Sequence, residues 1–155
     1  FPRKTSQIRL DKEITMPKIL VFMAYDQEYA IDIAAVREIR NWIQATPIPS
    51  SPNFVEGIIN IRGTVIPLVD FCKKINNSHE NREKKAMIIV ENEEKTVSFS
   101  VHNVSDIFDY DLDDQKKLPE ISKNDISIFV TGIISVEDRI IFLLDISRLI
   151  EECFN

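Results

Sequence analysis

Apolar residues fall in short runs with strand spacing, broken at regular intervals by turn-forming residues. Residues 18–24 form a continuous apolar run of strand length, and Tyr29, Ile31 and Ile33 then alternate with polar neighbours as in a half-buried strand. Asp26, Gln27 and Glu28 predict the turn between these strands. Residues 34–40 read as one helical turn that extends again. Pro47, Pro49 and Pro52 make the next segment an edge or loop, because proline cannot donate to a strand ladder. The clearest hairpin joins 55–61 to 64–69 across Arg62 and Gly63, where glycine tolerates the positive φ such turns need. Asp70 is a good N-cap for a short helix through Lys74. After a polar stretch at 76–85, strands are predicted at 86–90, 96–101 and 104–107, then an acidic loop at 109–125 and a second hairpin at 129–136 and 139–144. Asp145 caps a final helix with Ile146, Leu149, Ile150 and Cys153 on one face. Many short strands with turns between them predict an all-β fold of small barrels.

The pattern also repeats. Residues 55–70 lie on residues 130–145 without a gap, with Gly57 opposite Gly132 and Asp70 opposite Asp145. Tyr29, Ile31, Ile33, Val36, Glu38 and Ile39 fall opposite Val97, Phe99, Val101, Val104, Asp106 and Ile107. One β unit built twice predicts a flexible arm at 1–16, a first barrel at 17–84 and a second at 85–155 with the C-terminal helix. A unit of that size is marginal alone, so the two are expected to share a core. The seam between packed units is then a place to look for binding.

Composition narrows the function. The formal net charge of −6 argues against a nucleic-acid binder, whose mark is a basic patch. No apolar run reaches the ~20 residues of a membrane span. The only cysteines, Cys72 and Cys153, read as free thiols of a cytoplasmic protein. His79 and His102 have no partners at metal-ligand spacing, and no serine lies in a nucleophile-elbow context. No catalytic residue, metal or cofactor is therefore expected. A small β-barrel enzyme or nucleic-acid binder is the reading this disfavours. Two residues stay open. Trp42 is either an interface anchor or a barrel-rim packing residue. Arg62 is either a solvated turn residue or a recognition fork for carboxylates and carbonyls.

Phe22, residues 26–29 and 31–33, Val36 to Arg40, Pro47 to Pro49, Gly57 to Gly63, Ile66 to Asp70 and residues 131–149 resemble CheW, the coupling-protein family of bacterial chemotaxis. The resemblance implies two packed five-stranded SH3-like β-barrels and no catalysis. It also implies two partners, the cytoplasmic tips of methyl-accepting chemoreceptors and the regulatory domain of the histidine kinase CheA. The family's receptor-contact motif falls on Val36, Glu38, Gly57 and Arg62, with Met87 or Ile88 lining the same groove, and Ile121 stands where the family touches the kinase. Residues 98–103 depart from the family's usual glycine- and aspartate-bearing stretch, which implies a different surface on the second barrel. The runner-up is a divergent CheW-like scaffold for another two-component kinase, or the CheW-like part of a CheV-type adaptor.

Overall fold

The computed structural model describes residues 17–76, 83–118 and 128–154. The predicted arm at 1–16, His79 and Ile121 lie outside them. Eleven strands are formed by the described residues: β1 (Lys18–Ala24), β2 (Gln27–Asp32), β3 (Val36–Asn41), β4 (Val55–Ile61), β5 (Thr64–Asp70), β6 (Ala86–Asn92), β7 (Lys95–Val101), β8 (Asn103–Asp109), β9 (Gln115–Lys116), β10 (Val130–Val136) and β11 (Arg139–Leu144). Two helices follow hairpins, α1 (Phe71–Asn76) and α2 (Ile146–Phe154). The first turn falls one residue earlier than the sequence suggests, on Tyr25 and Asp26, both at positive φ. Arg62 (φ 51°) and Gly63 (φ 87°) turn β4 into β5 as expected, and the Asn60 side chain accepts a hydrogen bond from Gly63 N–H at 2.8 Å.

The strands form two packed sheets ordered β8-β1-β2-β11-β10-β9 and β3-β6-β7-β5-β4. Each closes on itself by the same device. Beyond β3 the chain returns to pair Thr46 with Ile58 on β4, through two hydrogen bonds of 2.9 Å. Beyond β8 it returns as β9 to pair with β10. Counting β8 and β9 as one interrupted strand, each barrel has five strands, and the all-β, SH3-like expectation is met.

The expected boundary is corrected. The barrels are not residues 17–84 and 85–155, because the repeats exchange hairpins. The hairpin β1–β2 pairs with β8 and β11, which belong to the second repeat, whereas β6–β7 pairs with β3 and β5, which belong to the first. The parallel registers correspond: Leu143 lies opposite Ala30 in one barrel and Leu68 opposite Ser98 in the other. Local patterning is blind to this exchange, since a strand's alternation is the same whichever copy supplies its neighbour.

The exchange divides the core in three. Ile19 and Val21 point into the first barrel with Ala30, Ile134, Ile141 and Leu143. Met87 and Ile89 point into the second with Ile59, Ile61, Ile66 and Leu68. The alternate residues, Leu20 and Phe22 from β1 and Ile88 and Val90 from β6, enter a larger core between the barrels. That is why both strands read as unbroken apolar runs: each is covered on both faces. Helices α1 and α2 seal this shared core with Phe71, Cys72, Leu149, Ile150 and Cys153.

Candidate functional site

Strand β3 sits at the edge where the second barrel meets the first. Its alternation sends Val36, Glu38 and Arg40 to one side, half-buried, and Arg37, Ile39 and Asn41 to solvent. Behind it, Arg62 projects from the β4–β5 turn and grips Glu38 with two hydrogen bonds, Nη1 to Oε1 at 3.1 Å and Nη2 to Oε2 at 2.7 Å. Arg40, two residues along the same strand, donates Nη1 to Oε1 at 2.9 Å. Glu38 is thus shared by two guanidinium groups. The Arg62 hydrogen bonds hold its carboxyl below the usual carboxylate range, and Glu38 in turn raises Arg62. The Arg62 side chain remains 66% exposed. A small cleft of roughly 140 Å³ between Arg37, Glu38, Arg62 and the apolar Ile61, Ile66 and Ile89 marks this corner.

Next to it runs an open trough of roughly 660 Å³ along the seam. Glu38, Ile39, Arg40, Asn41 and Ile43 line it together with Lys85 and Ala86, which lie beside them in the same sheet, and Asn103 and Val104 of β8 complete the lining. Ile39 and Ile43 are each about two-fifths exposed, which for large aliphatic side chains is an uncovered apolar surface. Such a trough has the shape and chemistry to take an amphipathic helix, with apolar contacts along the floor and guanidinium groups at one rim. Among the described residues no three His, Cys, Asp or Glu side chains converge to hold a metal ion.

The repeat places a counterpart on the first barrel. Asp106 of β8 corresponds to Glu38, and it too is held by an arginine from the hairpin, Arg139, at 3.1 Å. Arg139 also donates Nε and Nη2 to Glu28 at 2.8 and 2.5 Å.

The CheW-like domain family matches residues 18–154. The chain belongs to the CheW-like family. It is 35% identical to the chemotaxis protein CheW of Rhizobium meliloti (strain 1021) over 133 residues, 85% of this chain and 86% of that one. It is 30% identical to CheW of Thermotoga maritima over 135 residues, 87% of this chain and 88% of that one. Among solved structures, the scaffolding protein TtCheW of Thermoanaerobacter tengcongensis matches with a TM-score of 0.76 and 30% identity, over 84% of this chain and 85% of that chain.

The structure brings together some of the residues expected to form a CheW-like receptor contact and separates others. Glu38 and Arg62 meet, and Glu38 also lines the trough. Val36 is half-buried and packs on the shared core. Gly57 is buried at φ 146°, and a Cβ there would lie 2.0 Å from the Thr46 carbonyl oxygen. Its place is therefore behind the trough, where it lets the chain beyond β3 close onto β4. Met87 and Ile88 are corrected: at 0% and 1% exposure they belong to the second-barrel core and the shared core, and neither lines the trough. Sequence reasoning missed Ile39, Ile43, Lys85, Asn103 and Val104 as trough walls. Ile39 carried a signal, being an isoleucine flanked by Glu38 and Arg40.

Proposed function

We propose that this chain is a non-catalytic chemotaxis adaptor that couples chemoreceptor tips to the regulatory domain of the histidine kinase CheA. The observation that carries the reading is the seam trough, with apolar Ile39, Ile43 and Val104 along its length and Arg40 and Arg62 about Glu38 at one end. A receptor-tip helix lays its apolar face along the trough and offers polar groups to the arginines, as helix-in-groove recognition requires. Val36 and Gly57 contribute from behind, by holding β3 and the closing segment. The kinase contact is assigned to Ile121, which lies outside the described residues. Each contact is modest, and avidity in a membrane-associated array makes the assembly stable. The protein works in the cytoplasm, and no helix among the described residues is long and apolar enough to cross a membrane.

The test is co-sedimentation with receptor-bearing membranes. Arg62→Glu is expected to reduce receptor binding about tenfold, with unchanged circular dichroism and unchanged binding to the isolated kinase regulatory domain. Unaltered receptor binding by that variant overturns the trough assignment. Failure of the unmodified protein to bind either partner overturns the adaptor reading itself.

A further inference from the structure

A half-buried charge cluster lies behind the trough wall, and none of its side chains lines the trough. Glu56 is the extra residue of a β-bulge in β4, where the register shifts between Val55 and Gly57. A bulge re-aims the side chain it carries. Here Glu56 turns toward the chain leaving β3. Its Oε1 accepts the Trp42 indole N–H at 3.2 Å and the Lys84 ammonium at 3.2 Å, and Ser100 donates its hydroxyl to Oε2 in a short hydrogen bond. Lys84 lies over the Trp42 ring, 5.5 Å from its centroid, and reaches Asp70 at 3.3 Å. Burial works against the Lys84 charge, but Glu56 and Asp70 outweigh it and leave the ammonium harder to deprotonate than usual. Trp42 packs against the second-barrel core, while its neighbours on either side, Asn41 and Ile43, face the trough.

The second repeat lacks this arrangement. The bulged position of β10, between Val130 and Gly132, carries Thr131. Its hydroxyl donates to Leu143 O at 3.2 Å, on the partner strand of its own hairpin. A structural bulge therefore needs no carboxylate. The carboxylate occurs in the copy whose closing segment forms a trough wall.

We infer that Glu56 and Trp42 are positioning residues of the trough: the carboxylate fixes the indole, and the fixed indole sets where Asn41 and Ile43 stand for the incoming helix. Lys84 clamps the pair, its ammonium 3.2 Å from the carboxylate and over the indole ring. The inference rests on the receptor-tip reading above and adds residues that never touch the partner.

Trp42 is the sole tryptophan of the chain, so its fluorescence reports the cluster directly. Three measurements on the full chain test the inference: emission maximum, acrylamide quenching and affinity for a receptor-tip fragment. Glu56→Ala is expected to shift the emission to the red, to raise quenching, and to weaken tip binding roughly fivefold, as losing one half-buried hydrogen-bond acceptor does. Glu56→Gln keeps an acceptor for the indole and is expected to hold emission and affinity within about twofold of the unmodified protein. Should Glu56→Ala fail to fold, Trp42→Phe keeps an aromatic ring at the site while removing the indole donor and its five-membered ring, and a roughly threefold loss of tip affinity is expected. Unchanged emission in Glu56→Ala, or shifted emission with unchanged tip affinity, overturns the positioning role. If the unmodified protein does not bind the tip, the receptor reading fails, and the inference with it. If it binds the tip and only the Glu56 comparison fails, the receptor reading stands alone.

Discussion

The two barrels carry the same corner in two states. In each, an acid on β3 or its counterpart β8 is held by an arginine from a hairpin: Glu38 by Arg62, Asp106 by Arg139. On the first barrel the arginine is outnumbered. Arg139 binds Glu28 through two nitrogens and Asp106 through one, and its side chain is only 34% exposed. On the second barrel the acid is outnumbered. Glu38 is held by Arg62 and Arg40, and Arg62 stands 66% exposed. The first corner has satisfied its cation and serves as a brace. The second keeps guanidinium donors facing solvent beside an uncovered apolar trough. Duplication supplied one scaffold, and the difference in charge count separates the bracing copy from the copy proposed to dock a partner.

The largest expected effect comes from the paired glycines. Gly57→Ala forces a side chain into φ 146° and against the Thr46 carbonyl oxygen, whereas Gly132 has no positive φ and its added Cβ would meet the Gln115 side chain. Backbone cannot yield as a flexible amide can. The first substitution is expected to cost roughly 3 kcal/mol or more and the second about 1 kcal/mol, read from urea denaturation midpoints. Equal costs would mean that the two closures are equally tight, and the contrast between copies would lose its structural basis.

Next come the arginines themselves. Arg139→Met leaves the Glu28 carboxylate, whose side chain is 16% exposed, without its guanidinium. A loss of about 2 kcal/mol in global stability is expected, with receptor binding retained. Arg62→Met is expected to do the reverse, leaving the thermal midpoint in place once salt screens its exposed pair with Glu38, and weakening receptor binding. The crossed result, in which Arg62 governs stability and Arg139 governs binding, exchanges the roles of the two barrels.

The elements that carry this contrast were legible in the sequence, because they depend on local features; the pairs of Arg62 with Glu38 and of Arg139 with Glu28 and Asp106 were not, because they join remote segments. The hairpin at Arg62 and Gly63, the helix after Asp145 and the correspondence of Glu38 with Asp106 follow from spacing alone. The exchanged pairing was not legible, because β1 beside β8 and β6 beside β3 are contacts between remote segments that leave the alternation untouched. The two-residue β9 was read as loop, since Gln115 and Lys116 are too few to show a period. The placement of Met87 and Ile88 could have been read correctly: an unbroken apolar run at 86–90 marks a strand covered on both faces, which leaves neither residue for a partner. The far side of the trough could not be read, because only packing of the two sheets brings Asn103 and Val104 to the same trough as Ile39.

The smallest expected effect separates the corners most cleanly, because it uses the same chemistry in both. Hydrogen bonds from Arg139 hold the Glu28 carboxyl below its ordinary value of 4.5, and those from Arg62 do the same for Glu38. A carboxyl lowered on folding stabilises the native state above its unfolded value and loses that contribution as pH falls through the folded one. Both therefore steepen the loss of stability below about pH 4.5. Salt distinguishes them, since an exposed pair is screened at high ionic strength and a half-buried pair much less. In low salt, both Arg139→Met and Arg62→Met are expected to flatten the acid limb of the stability curve. In about 1 M sodium chloride the Arg139 variant is still less stable than the unmodified protein above about pH 4.5 and converges on it as the pH falls, while the Arg62 variant superimposes on it throughout. If salt erased both differences, Arg139 would be as open to solvent as Arg62, and the first corner would be a second docking corner whose partner has yet to be sought.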